Sequence, residues 1–171
     1  ATWATPTKII TYAQVTGSES DSKIPYPPQI ALSRDKQTLH LVWGQEQSTT
    51  SKVIYYMDGS DLSDGIPNWE TPKPVSPDNE FATRPTIAVD SYDQVHVAWV
   101  RPDPTSGSDL IPQNAIHKKL GASGEPTKLN DLPFYVNNQF PSLAKLSITA
   151  EGSNVCVAWH GFYEEDPQNK E

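Results

Sequence analysis

At 171 residues the chain is long enough for one domain with a buried core, and 16 prolines, 9 glycines and 36% hydrophobic residues describe a turn-rich protein without long helices. A net charge of −8 and an isoelectric point near 4.9 argue against nucleic acid as a partner, and no apolar run approaches the roughly 20 residues that a membrane-spanning helix needs. Cys156 stands alone, so no disulfide closes within the chain.

The first segment with strand character, WATPTKI at 3–9, matches a later one, WETPKPV at 69–75. Between them lie PQIAL at 28–32, LHLVW at 39–43 and VIYYM at 53–57. The same four kinds of segment return as PTIAV at 85–89, VHVAW at 95–99, AIHKK at 115–119 and, more weakly, GEPTKL at 124–129. A third round opens with PSLAK at 141–145 and VCVAW at 155–159. Pro28, Pro85 and Pro141 mark a repeat of about 57 residues.

Each round predicts four short strands, a to d. Strand b alternates with period two: Leu39, Leu41 and Trp43 share one face, as do Val95, Val97 and Trp99, and Val155, Val157 and Trp159. The opposite face carries the slimmer Val42, Ala98 and Ala158. Bulky on one side and slim on the other suits sheets stacked face to face at about 10 Å. Prolines gather in a and d, which places those strands at the sheet edges, because proline cannot donate to a ladder.

Repeated four-stranded antiparallel sheets of this length are blades of a β-propeller, with a β-sandwich as the alternative. The predicted fold is all-β: strand d of a preceding blade at 3–9, a blade at 28–75, a second at 85–129 and a partial blade at 141–159. That makes eleven strands and about three blades, an incomplete ring, since propellers close with about 4–8. The expectation is a single propeller segment, 1–171, that is a piece of a longer protein, one chain of a nicked ring or a subunit that closes with others. Further blades of the same protein or another chain are then the implied partners.

His40 and His96 occupy one slot of strand b, and Cys156 fills it in the third copy. A zinc ion needs ligands at about 2.1 Å, whereas equivalent positions in adjacent blades lie about 10 Å apart. The slot is therefore expected to be packing, and no metal site is predicted. In a propeller the b–c loops (44–51, 100–114, 160–171) and d–a loops (10–27, 76–84, 130–140) share the face where ligands bind. They bring Arg84, Arg101, Asp103, Asp109, His160, Tyr163, Glu164 and Glu165 as candidate ligand-binding residues. The acidic residues fit either a sugar or calcium site or plain solvated loop. Calcium needs several oxygens converging at about 2.4 Å, and no twelve-residue loop of alternating acids is present, so no cofactor is predicted.

The phrases PQIALSRDKQTLHLVW and PTIAVDSYDQVHVAWV resemble strands a and b of the sialidase-like propellers with Asp-box (BNR-type) repeats, and DGSDLSDGIPNW at 58–69 falls where that family carries its box. The resemblance implies a folding role for Asp61, Asp64, Gly65 and Trp69, on the face away from any active site. It also implies an extracellular, periplasmic or cell-surface protein, with carbohydrate as a possible ligand class. Sialidases hold a carboxylate with three arginines, a recognition that suits bidentate geometry. This chain has only Arg34, Arg84 and Arg101, and Arg34 falls in an a–b turn on the opposite face. A complete glycosidase site is not expected. A non-catalytic binding or scaffolding segment leads, ahead of part of a glycoside hydrolase and of a structural subunit of a surface layer or complex.

Overall fold

A computed structural model describes residues 27–48, 51–62, 67–78, 80–102, 110–130, 134–137 and 146–160. All regular structure among them is β, in three antiparallel sheets. The first is a meander of β1 (Gln29–Leu32), β2 (Thr38–Ser48) and β3 (Ser51–Ser60). The far edge of β3 is taken by two short strands, β4 (Asn68–Trp69) and β5 (Lys73–Pro74). The second sheet repeats the plan with β6 (Thr83–Val89), β7 (Val95–Pro102) and β8 (Leu110–Lys119). Its outer edge is again split, between β9 (Thr127–Lys128) and β10 (Phe134–Asn137). The third sheet is the hairpin of β11 (Leu146–Glu151) and β12 (Asn154–Trp159).

Strands a, b and c thus become β1–β3 and β6–β8, and proline explains why the fourth place is broken. Pro72 precedes β5, and Pro74 meets Tyr55 with no amide to donate, so the edge ladder lasts two residues. Pro85 sits where the β6–β7 register shifts between Thr83 and Thr86, a bulge that spares the ladder a missing donor. Prolines are not confined to a and d, however. Pro102 ends β7 opposite Gln113, and Pro112 lies within β8 opposite Tyr135. The predicted loop 100–114 is accordingly strand at both ends, and the predicted loop 130–140 holds β10. The third a-strand runs over 146–151, C-terminal to PSLAK; residues 141–145 and the predicted first strand, 3–9, lie outside the described residues.

The a–b turns are wired by side chains. Ser33 Oγ accepts the amides of Gln37 and Thr38 (3.2 and 2.9 Å) and donates to Asp35 (2.5 Å). Asp90 Oδ1 takes the amides of Tyr92 and Gln94 (2.8 and 2.9 Å) in the equivalent turn. Such side-chain turns leave one residue left-handed; here these are Lys36 and Asp93, at φ 60° and 57°. In the third hairpin Gly152 (φ 60°) supplies that conformation without the cost of a Cβ.

Packing follows the size pattern of strand b. Val95, Val97 and Trp99 of β7, with Ile87 and Ile116, press their bulky face onto the slim face of the first sheet, Val42 and Ile54 with Ala31 and Tyr56. The slim face of the second sheet, Val100 and Ala115, receives Leu146 and Trp159 of the third. Residues 95–100 are consequently buried on both faces. Each buried Val, Ile or Trp there contributes about 1.5–3 kcal/mol of apolar transfer. The sheets stack in series, always bulky on slim.

Candidate functional site

The loop-face end of the second sheet carries both predicted arginines. Arg101 lies near the end of β7, not in a loop, and pairs across the ladder with Asn114. Its Nη1 donates to Glu80 Oε1 at 2.7 Å, with both side chains partly buried. Glu80 is held in turn by the first sheet: its carbonyl accepts the Lys52 amide (3.0 Å), and the Ala82 amide donates to the Lys52 carbonyl (2.8 Å). Lys52 also lies over the Phe81 ring (4.8 Å) and 3.6 Å from Glu46. The pair therefore bridges two sheets and satisfies much of the charge that Arg101 would offer a ligand.

Arg84 occupies the β6 bulge just ahead of Pro85, half-buried, at φ 52°. A non-glycine residue held left-handed stores of the order of 1–3 kcal/mol, and such strain concentrates at functional positions. Thr83 pairs with Val100, so the register sets Arg84 and Arg101 at the same end of neighbouring strands. Behind them is a buried amide cluster that sequence reasoning passed over, Gln113, Asn114 and Asn130. Asn130 Oδ1 accepts the Ala115 amide (2.7 Å), and Asn130 Nδ2 donates to Asn114 Oδ1 (3.3 Å). The signal is present in PQN at 112–114, whose Gln113 and Asn114 stand directly ahead of strand c and which the sequence places at the end of a b–c loop.

His160 is exposed immediately after β12, and Asp103, Asp109, Tyr163, Glu164 and Glu165 lie outside the described residues. Arg34 sits at the opposite end, in the first a–b turn. Its amide donates to Asp93 Oδ1 of the next turn (2.7 Å), and its guanidinium reaches Glu151 of the third at 3.7 Å. Of the box residues, Asp61 is exposed and left-handed at φ 57°, and Trp69 pairs with Gly59, its ring lying against that glycine. Asp64 and Gly65 are outside the described residues.

The histidine slot is a second polar constellation. His40 Nδ1 meets Tyr56 Oη at 2.8 Å with stacked rings. His96 Nδ1 meets His117 Nε2 at 3.1 Å, also stacked, while its Nε2 lies 3.3 Å from Asp90 Oδ2. An ionised carboxylate only accepts, so His96 donates to Asp90 through Nε2, and a neutral His96 ring then accepts from His117 through Nδ1. Tyr56 and His117 hold equivalent places, opposite Val42 and Ala98 respectively. The His96–His117 pairing exists only once strand c has a register.

Burial lowers the His117 imidazole, and the charge His96 would carry lowers it further. Burial also lowers His40, against the opposing pull of Asp58, Asp93 and Asp35. It raises the Tyr56 hydroxyl well above the usual phenol range, with Asp58 adding to the effect. For Asp90 burial acts upward, yet the amides of Gln94 and Tyr92 and the His96 ring outweigh it and hold the carboxyl low. Both rings that shift are thus kept neutral. His40 and His96 each bond within their own sheet, and no group of three His, Cys, Asp or Glu side chains able to hold a metal occurs among the described residues.

Between the first two sheets, near the second a–b turn, a cavity of about 540 Å³ is lined by Tyr56, Lys73, Val75, Asp93 and Lys118 among others. Lys118 closes one wall by donating to the Val75 carbonyl at 3.4 Å. No helix among the described residues is long and apolar enough to cross a membrane. No model of a known protein family matches the chain, and no curated protein matches it either.

Proposed function

We propose that the chain is a segment of a sialidase-like β-propeller of the Asp-box (BNR) type, secreted or surface-exposed, acting without catalysis as a binding or scaffolding module. The observation that carries this reading is the serial stacking of three meandering sheets, bulky face on slim face. The first strand of the second sheet packs against β1 of the first and β11 of the third, as the inner strands of adjacent blades do. The non-catalytic part rests on Arg101, whose guanidinium is already engaged by Glu80, and on Arg34, which lies at the far end of the sheets. Incubation with a fluorogenic sialoside and a panel of aryl glycosides is expected to release no aglycone above an Arg84→Ala/Arg101→Ala control. Turnover that the control abolishes would overturn the reading.

One observation favours carbohydrate binding on the same face: the strained backbone of Arg84, beside the Arg101–Glu80 pair and above the buried amides. On this reading an acidic sugar is held by Arg84. Glycan-array binding that Arg84→Ala removes, with folding unchanged, is the expected result; binding that survives the substitution would remove Arg84 from the site.

A further inference from the structure

The cavity between the first two sheets lies at the a–b turn end of the molecule, away from Arg84 and Arg101, and its two cations come from facing sheets. Lys73 of β5 pairs with Tyr56, which puts both on the face of the first sheet that meets the second. Lys118 of β8 pairs with Val97, on the bulky face of the second sheet that looks back. Its amine crosses the gap to within 3.4 Å of the Val75 carbonyl. Neither lysine forms an ion pair among the described residues. Asp93, the one acid among the described lining residues, is exposed, and its Oδ1 is taken by the Arg34 amide at 2.7 Å. In a chain with a net charge of −8, two uncompensated ammonium groups around one cavity reverse the local sign of the field. Like charges facing across low-dielectric walls repel, and an anion held between them relieves that repulsion. Behind the lysines the walls are apolar: Val75 and Val95 are buried and Leu120 is half-buried. Tyr56 offers its ring, because its hydroxyl is engaged with His40 Nδ1 at 2.8 Å. The volume, about 540 Å³, falls within the range of small-molecule pockets, which combine apolar walls with a few placed polar groups.

We propose that this cavity binds a small organic carboxylate with a flat apolar body, the carboxylate held between Lys73 and Lys118 and the body lying against Tyr56, Val75 and Val95. The site is separate from Arg84 and does not depend on the function proposed above. Its position between two sheet faces suits a planar ring system. Lysine serves such a pocket as a point charge on a flexible stem, which suits a carboxylate without demanding bidentate geometry. A polyol would bury its hydroxyls against Val75, Val95 and Leu120 without partners, which is unfavourable. An inorganic anion would satisfy the lysines but leave the apolar walls in contact with water.

The test titrates the full chain with naphthoate, followed by the ligand's own fluorescence, with the stoichiometry checked by calorimetry. Naphthamide presents the ring without the charge, and acetate the charge without the ring. Naphthoate is expected to saturate a single site, with naphthamide and acetate each weaker by at least about tenfold, as the loss of a charge-assisted hydrogen bond or of the apolar contact predicts. Lys73→Gln and Lys118→Gln should each weaken naphthoate by a similar factor. Lys119→Gln removes the same charge from the next residue of β8, on the opposite face of the sheet, and should leave binding unchanged. An absence of saturable binding, naphthamide or acetate binding as tightly as naphthoate, affinity that survives either change at Lys73 or Lys118, or an equal loss in Lys119→Gln would each overturn the site. Lys118 also ties the two sheets through Val75, so thermal unfolding is followed alongside. A lowered melting temperature with unchanged affinity would make Lys118 a strut and overturn its role as a ligand contact. Should Lys118→Gln fail to fold, Lys73→Gln decides alone, because Lys73 is exposed.

Discussion

Gly59→Ala isolates the device that closes the first sheet's outer edge. Gly59 lies in β3 opposite Trp69. A Cβ built there would come 2.6 Å from Pro67 Cβ and 2.8 and 2.9 Å from two atoms of the Trp69 ring. Strand propensity favours alanine over glycine, so on that ground alone the change would stabilise. Contacts below 3 Å to a proline and an indole, neither of which is a flexible chain end, decide the sign the other way. Overpacking of this kind costs about 1–3 kcal/mol, and a chain of 171 residues loses roughly 2–4 °C of melting temperature per kcal/mol. Thermal unfolding followed by circular dichroism should therefore show a fall of several degrees. In a Trp69→Ala background two of the three contacts vanish, and the same glycine substitution should cost distinctly less. An unchanged or raised melting temperature, or an equal cost in both backgrounds, would refute the claim that the tryptophan ring needs a bare backbone beneath it.

Lys36 is exposed and left-handed at φ 60°; that conformation costs about 1–2 kcal/mol against about 0.5–1 kcal/mol for glycine's extra chain entropy, so Lys36→Gly should raise the denaturation midpoint slightly. Asp93→Gly should lower it despite the similar φ, because the Asp93 carboxylate joins two turns through the Arg34 amide. The folded state lowers the imidazoles of His40 and His117 below their ordinary value of 6.5, so the unfolded chain binds more protons there and stability declines as pH falls through that value. A melting profile from pH 8 to 5 should show the decline, and His117→Gln should flatten it. The lowered Asp90 carboxyl contributes in a separate window, lost only as pH falls below 3.8. Asp90→Ala should reduce the melting temperature more than Asp90→Asn, which keeps an oxygen for the Tyr92 and Gln94 amides.

What the sequence disclosed depended on whether one strand carried its own signal. Strand b was legible three times over because its alternation sorts bulky from slim residues within five positions, and both faces of β7 are buried. The split outer edge was less legible. Its pieces are two to four residues long, and what holds them is the strand they pair with, so FYVN at 134–137 reads as loop until Leu110–Gln113 stands beside it. Those partner residues were themselves hidden by Pro102 and Pro112, which look like loop punctuation and here sit in strands. In the third round the proline marker points to 141–145, outside the described residues, while the strand that pairs with β12 runs over Leu146–Glu151, where Leu146, Ile148 and Ala150 alternate as cleanly as strand b does. At the candidate site both arginines were visible, but Glu80 and Asn130 lie far from Arg101 and Asn114 in sequence and meet them only through tertiary contacts.

The histidine slot shows why an interface built on size can carry polar residues in its middle. A buried ring nitrogen without a partner costs roughly 1–3 kcal/mol, so His40 and His96 would be poor choices if their partners had to come from the adjoining sheet. They do not: Tyr56, His117 and Asp90 belong to the same sheet as the histidine each one meets. In this slot each sheet closes its own hydrogen bonds and meets its neighbour by shape. That is what lets Cys156, with no ring at all, stand in the same slot of the third sheet. The slot's chemistry is free to change from repeat to repeat, while the bulky-on-slim order, which does have to match across sheets, is kept at both interfaces.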